Sequence, residues 1–155
     1  MAAAADANVK HIVKVTSKAS PDSPVARRRG QSEIEAGLSA SGIPHTLLRA
    51  NAYMQNLLAV GPVVAKTGGF AAATGNGQVG LTDARDVAAV AVHVVGDPAH
   101  TGRTYWVTGP QLLSYADVAD ILSRVLGRTV TFTARTHART TRILPRSSPP
   151  ACRST

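Results

Sequence analysis

Apolar and polar positions change period several times along the chain, and each change predicts an element. His11 to Thr16 (HIVKVT) is dense in β-branched residues and gives way to Ser17-Lys-Ala-Ser-Pro-Asp-Ser-Pro, which predicts a strand and then a loop. Ser23 before Pro24 is placed to cap a helix that runs to Ser41, with Gly42 as its stop and Ile34 and Leu38 as a narrow apolar stripe. His45 to Arg49 (HTLLR) follows after a short connection and completes a strand-helix-strand unit of the kind that builds parallel sheets. From Asn51 to Val64 the pattern is weakly helical, and Gly68-Gly69 breaks it. Phe70 to Ala73 and Gln78 to Leu81 flank Thr-Gly-Asn-Gly, which predicts a small hairpin.

Later elements carry clearer boundary chemistry. Asp83 as cap, with Asp86 three residues on, opens a helix through Val95, and both acids suit the positive end of its dipole. Thr104 to Thr108 (TYWVT) reads as a strand. Ser114 with Asp117 repeats the capping pattern before Val118, Ile121, Leu122, Val125 and Leu126, an apolar stripe of helical period that ends at Gly127. Thr129 to Thr133 closes the regular part as a strand, and beyond Ala134 no periodicity survives. The boundaries are therefore a flexible N-terminus at 1–8, an α/β domain at 9–134 and a disordered basic tail at 135–155. The abrupt onset of that tail raises a shifted reading frame as its origin, which resequencing across the Ala134 codon would test.

Composition changes this picture little until charge is placed along the chain. With 155 residues and 44% hydrophobic content, one sizeable core is expected. The formal charge is +8, but Arg135, Arg139, Arg142, Arg146 and Arg153 lie in the tail with no acid among them, and without those five it is 8 − 5 = +3. Nucleic-acid association would thus rest on the tail, which lacks interleaved aromatics for base stacking and would bind weakly and salt-sensitively. Deleting the tail tests that reading. The lone Cys152 has no partner for a disulfide or thiolate metal site, and the N-terminus shows no export signal. The longest apolar stretch, Val87 to Val95, falls well short of the roughly 20 residues of a membrane span, so a cytoplasmic, unanchored protein is expected.

Candidate chemistry is sparse. Gly75-Asn-Gly77-Gln-Val-Gly80 matches the dinucleotide fingerprint literally, but the motif works only where a strand turns directly into a helix, and here Val-Gly-Leu-Thr follows. It reads as a turn. Arg27-Arg28-Arg29 reads first as a solvated helix face and second as a phosphate-binding cluster. His11, His45, His93, His100 and His137 lack zinc-ligand spacing, so no metal is expected, and neither a G-x-S-x-G elbow nor a Tyr-x-x-x-Lys pair is present.

Taken in order, Val9-Lys-His-Ile-Val-Lys-Val-Thr-Ser17, Gln31-Ser-Glu-Ile-Glu35 with Ala-Ser-Gly-Ile-Pro44, and Thr46-Leu-Leu-Arg-Ala-Asn51 with Tyr53-Met-Gln-Asn56 resemble the middle of NmrA-like proteins. Leu81-Thr-Asp-Ala-Arg-Asp-Val-Ala88, Gly102-Arg-Thr-Tyr-Trp-Val-Thr-Gly-Pro110 and Leu113-Ser-Tyr-Ala-Asp-Val-Ala119 resemble that family's downstream blocks. The resemblance covers about Val9 to Thr133. It implies an α/β fold: the C-terminal part of a doubly wound, Rossmann-like parallel sheet with a small substrate lobe, the N-terminal glycine-rich βαβ half being absent. The cofactor that the resemblance implies is NAD(P). It implies further that Thr16 and Ser17 face the nicotinamide, and that Arg49, Ala50 and Asn51 line the same crevice, in keeping with ligand binding outside the carboxyl ends of parallel strands. Gln31, Glu35, Tyr53 and Asn56 fall on the substrate side. Some family members carry a histidine at the place of Gln31, which cannot donate a proton near neutral pH; the bland reading of Gln31 and Glu35 is a solvent-facing helix pair.

Two functional classes follow from the resemblance. The first is an oxidoreductase-family protein, truncated and with weak or no dinucleotide binding of its own because the phosphate anchor is missing. The second is a redox-sensing regulator that binds NAD(P) and a protein partner without catalysis. Turnover of a quinone or azo dye by a full-length version would separate them. The first strand is also expected to have only one neighbour, which predicts self-association or pairing with another chain through its open edge.

Overall fold

Among the apolar runs, HTLLRA has the most continuous burial, and it occupies the centre of the main sheet. The computed structural model describes residues 2–135. In it, β1 (Ile12–Thr16) pairs in parallel with β2 (His45–Ala50), and β2 pairs in parallel with a later strand at Thr104–Val107. The order places β2 between the other two, so its residues are covered on both edges, and Thr46, Leu47, Leu48 and Ala50 are buried. That is why this strand reads as a run and not as an alternation. Among the described residues β1 has one partner strand, as expected, and its Val15 is 44% exposed.

Preceding β1 is a five-residue helix, α1 (Ala2–Asp6), with no buried residue, inside the segment expected to be flexible. The crossover from β1 to β2 is α2 (Ala26–Ala40), two residues later than the cap at Ser23 predicts. Val25 stands at its N-cap with extended backbone and no side-chain cap, while Ser23 Oγ accepts the Val25 N–H at 3.2 Å and builds a turn ahead of the helix. The expected apolar stripe is also rotated. Leu38 is fully buried, but Ile34 is 45% exposed and Glu35 takes the inward position.

After β2 the chain forms a 3-10 segment (Met54–Val60), α3 (Gly61–Thr67), β3 (Gly69–Ala72) and β4 (Val79–Gly80). Next come α4 (Ala84–Val95), β5 (Thr104–Val107), β6 (Leu112–Leu113), α5 (Tyr115–Leu126) and β7 (Thr131–Ala134). The predicted hairpin does not form. Its turn exists, with Gly75 at φ +52° and the Gly77 N–H donating to the Thr74 carbonyl, but β3 pairs in parallel with β7 and β4 pairs antiparallel with β6. Aromatic packing explains the long-range choice: Phe70 lies opposite Phe132 with ring centroids 5.5 Å apart, and Tyr115 joins both.

Phe70 belongs to a hydrophobic core with Val64, Leu81, Val118, Ala119 and Val130, against which Tyr115 and Phe132 pack, in the lobe beside the main sheet. Gly109, just beyond β5, lets the two pieces approach, since a Cβ there would collide with the Leu81 backbone carbonyl. The capping predictions for α4 and α5 hold in atomic detail: Asp83 accepts the Arg85 N–H, and Ser114 and Asp117 form a reciprocal capping box. Only the last turn of α5 departs from its stripe, with Val125 75% exposed. Of the predicted tail, all but Arg135 lies outside the described residues.

Candidate functional site

Successive side chains on a parallel strand alternate faces, so the register of the main sheet decides which residues meet. Thr16 lies beside Arg49, and Arg49 beside Trp106, putting these three on one face. α2 covers that face. Gln31 Oε1 accepts from Thr16 Oγ1 and from Lys14 Nζ, both at 2.9 Å, while Arg49 donates to Glu35 through Nη2 at 2.5 Å and Nε at 3.4 Å. Glu35 is 6% exposed. It is therefore not half of a solvent-facing pair: with Arg49 in the neighbouring strand, the inward stripe of α2 is polar where it meets the sheet. Arg49 also lies over the Trp106 ring, 5.4 Å from its centroid.

The opposite face is taken by α4 and the turn after it. Thr46 donates to the His100 carbonyl at 2.7 Å, and the His100 ring packs between His93 of α4 and Tyr105 of β5. Helices thus cover the sheet on both sides.

Beyond the carboxyl ends of β1 and β2 opens a cleft of about 340 Å3. Thr16, Ser17, Ala50, Asn51, Tyr53 and Asn56 all line it, which brings together most of the residues singled out from the sequence. Arg49, Gln31 and Glu35 do not line it; they hold its floor, because Gln31 fixes the Thr16 hydroxyl and Glu35 fixes the arginine next to Ala50. Sequence reasoning missed Lys18, Arg27 and Arg28 as wall residues. The signal was the topology itself, since a helix that follows a parallel strand must begin near that strand's carboxyl end.

A second support was also not anticipated. Gln55 donates to Asp83 at 2.8 Å and accepts from the Ala84 N–H, tying the Tyr53–Asn56 wall to the start of α4. Met54 N–H donates to the Thr82 carbonyl in the same place. Hydrogen bonds from Arg85 and Gln55 hold the Asp83 carboxyl far below the usual carboxylate range.

Whether these residues fit a dinucleotide can be judged from size and from backbone. The cleft is at the small end of the roughly 300–1,000 Å3 typical of ligand pockets. It matches a nicotinamide ring with its neighbouring groups and not a whole dinucleotide. Among the described residues no strand passes through a glycine-rich turn into a helix: β1 leads to α2 through Ser17 to Val25, a glycine-free loop. The fit is to the nicotinamide end alone.

Residues 1–149 match the model of the NmrA-like family. The chain belongs to that family. This NmrA-like chain is 43% identical over 135 residues to an NAD(P)H azoreductase of Xenophilus azovorans, covering 86% of itself and 47% of that protein. It is 40% identical over 133 residues to a (4-alkanoyl-5-oxo-2,5-dihydrofuran-3-yl)methyl phosphate reductase of Streptomyces griseus, covering 84% of itself and 47% of that protein. The structure of an NADPH-dependent quinone oxidoreductase of Escherichia coli, complexed with NADPH, superposes with a TM-score of 0.79 at 31% identity, over 87% of this chain and 48% of that one. The chain spans about half the length of the curated relatives it matches. The NmrA-like fold, with a parallel sheet of Rossmann type, is thereby established. No helix among the described residues is long and apolar enough to cross a membrane, and no three of their His, Cys, Asp or Glu side chains group as a metal site.

Proposed function

We propose that this chain supplies the nicotinamide-side wall and the acceptor side of an NAD(P)H-dependent reductase of the cytoplasm, a setting in keeping with a single cysteine in the sequence. The single observation that carries the reading is the cleft at the carboxyl ends of β1 and β2, where Thr16, Ser17, Asn51, Tyr53 and Asn56 converge. NAD(P)H held there would supply the hydride of a two-electron reduction, the accompanying proton coming from water or a wall residue.

The chain's own residues orient and exclude. Thr16 is locked by Gln31, so its hydroxyl is committed as donor to that amide and its lone pairs are left to accept from a carboxamide N–H. Asn51 and Asn56 offer amide donors and acceptors along the other wall. Gln31 itself has both oxygen contacts filled by Lys14 and Thr16 and moves no proton, and the Tyr53 and Ser17 hydroxyls and the Lys18 ammonium are the wall groups that carry one. The relatives' names carry azo, quinone and unsaturated lactone groups, all conjugated acceptors, and an acceptor of that class is assigned here.

Dinucleotide affinity of the isolated chain is low in this reading, because the backbone amides that cradle a pyrophosphate have no counterpart at β1. Titration with NADPH and NADH, following Trp106 fluorescence and thermal stability, gives the test. A weak response confined to millimolar dinucleotide is expected; tight saturable binding would show that the described cleft suffices and would overturn the account of the phosphate anchor. The open edge of β1 further points to self-association in solution.

A further inference from the structure

The cleft has a charge that its reductase reading does not use. Among the described residues Lys18, Arg27 and Arg28 are the charged side chains in its wall, with no carboxylate beside them. None of the three makes an ion pair among the described residues, whose ion pairs are Arg49–Glu35, Arg85–Asp83 and His100–Asp97. Arg27 is aimed at the opening by its own contact: Nη1 donates to Ser17 Oγ at 3.0 Å. Arg28 is half-buried, whereas the adjacent Arg29 turns away and donates to the Ser23 carbonyl at 2.7 Å. A solvated helix face would spread its cations evenly; here two of three arginines and a lysine from the preceding loop meet at one concavity.

We infer that this cationic wall selects acceptors that carry an oxyanion, a phosphate monoester or a sulfonate, next to the group that is reduced. The inference rests on the reductase reading for what fills the cleft. Two guanidinium groups and an ammonium match tetrahedral oxyanions, because the planar fork donates in pairs and the flexible ammonium supplies a third contact. Ser17, Asn51 and Asn56 supply neutral hydrogen bonds in the same space. A cationic acceptor is disfavoured by the same wall, since like charges meet there without a compensating acid.

Binding of two quinones of equal ring size to the 155-residue chain tests this, with Trp106 fluorescence as readout: anthraquinone-2-sulfonate and neutral 2-hydroxymethylanthraquinone. The sulfonate is expected to bind about tenfold more tightly at low salt, and the preference to shrink as ionic strength rises. R27Q/R28Q should bring the two probes to equal affinity, while R29Q leaves the preference unchanged. Equal binding of both probes by the unaltered chain, or by neither, overturns the inference, as does a preference that survives R27Q/R28Q. Nicotinamide mononucleotide distinguishes the source of the oxyanion. If it binds in an Arg27- and Arg28-dependent way and the sulfonated quinone does not, the wall holds a cofactor phosphate, and the acceptor assignment falls. Failure of the reductase reading would look different: sulfonate selectivity intact, with no response to NADPH or NADH at any concentration.

Discussion

Glu35 and Arg49 show how two residues can exchange the roles their types suggest. A carboxylate on a helix and an arginine in a strand would each ordinarily face water, yet the pair is bidentate and Glu35 is almost fully enclosed. Removing one partner leaves the other without its counter-charge. Glu35→Leu is expected to cost about 3 kcal/mol by chemical denaturation, moderated because Arg49 keeps partial contact with water. The double variant Glu35→Leu/Arg49→Met should recover most of that loss, since an apolar pair of similar volume removes both desolvation terms. Equal destabilisation by the single and double variants would mean that the ion pair does not hold the cleft floor. Asp83 gives a pH prediction. Its folded pKa is depressed, chiefly by the Arg85 hydrogen bonds, so its contribution is complete above the unfolded value of about 3.9 and is lost only as pH falls through the lower folded value. At about pH 3, therefore, the carboxyl should remain ionised and the Gln55 contact intact, while ordinary surface acids are already protonated. Carbon-detected NMR of the Asp83 carboxyl checks this, and a midpoint near the unfolded value would refute it.

Elements whose ends carry their own chemistry were legible one by one. α4 and α5 begin at Asp83 and Ser114 as the capping patterns predict, because a side chain that satisfies an orphan N–H two or three residues on needs no partner elsewhere in the fold. Ser114→Ala should lower stability by about 1 kcal/mol, read as a lower melting temperature, and Ser114→Asp should restore most of it. α2 was less legible. Its first residues contain no usable cap, and Gln31, Glu35 and Leu38, not Ile34, form its inward stripe because the sheet presents Lys14, Thr16 and Arg49 to it. β3 and β4 were legible as strands and illegible as partners: Thr-Gly-Asn-Gly made its turn, but Phe70 packs on Phe132, some sixty residues away.

At the scale of the sheet, β1 has no second partner strand among the described residues, and its Val15 is 44% exposed. A parallel strand is normally covered on both edges, so a second chain is the expected partner in solution. Light scattering over a concentration series should show a mass that rises above the monomer's, and Val15→Lys should suppress the rise, because a charged edge resists pairing. A concentration-independent monomer for the unaltered chain would remove this expectation. The cleft opens at the carboxyl end of the same strand, where Thr16 directly follows Val15, so cofactor affinity and self-association should be measured on the same samples.

From the sequence by itself came the α/β class, the β1-α2-β2 unit and both well-capped helices, and from its family resemblance the residues that converge at the strand ends. These depend on patterns only a few residues long: β-branched runs, capping side chains and the rule that a parallel strand delivers its last residues to a ligand crevice. The tertiary structure alone decided that Glu35 turns inward, that β3 joins β7, and that Arg27 and Arg28 enter the cleft while Arg29 does not. Each of those outcomes rests on a partner distant in sequence, and no local pattern encodes the energy of a contact whose other half lies on another element.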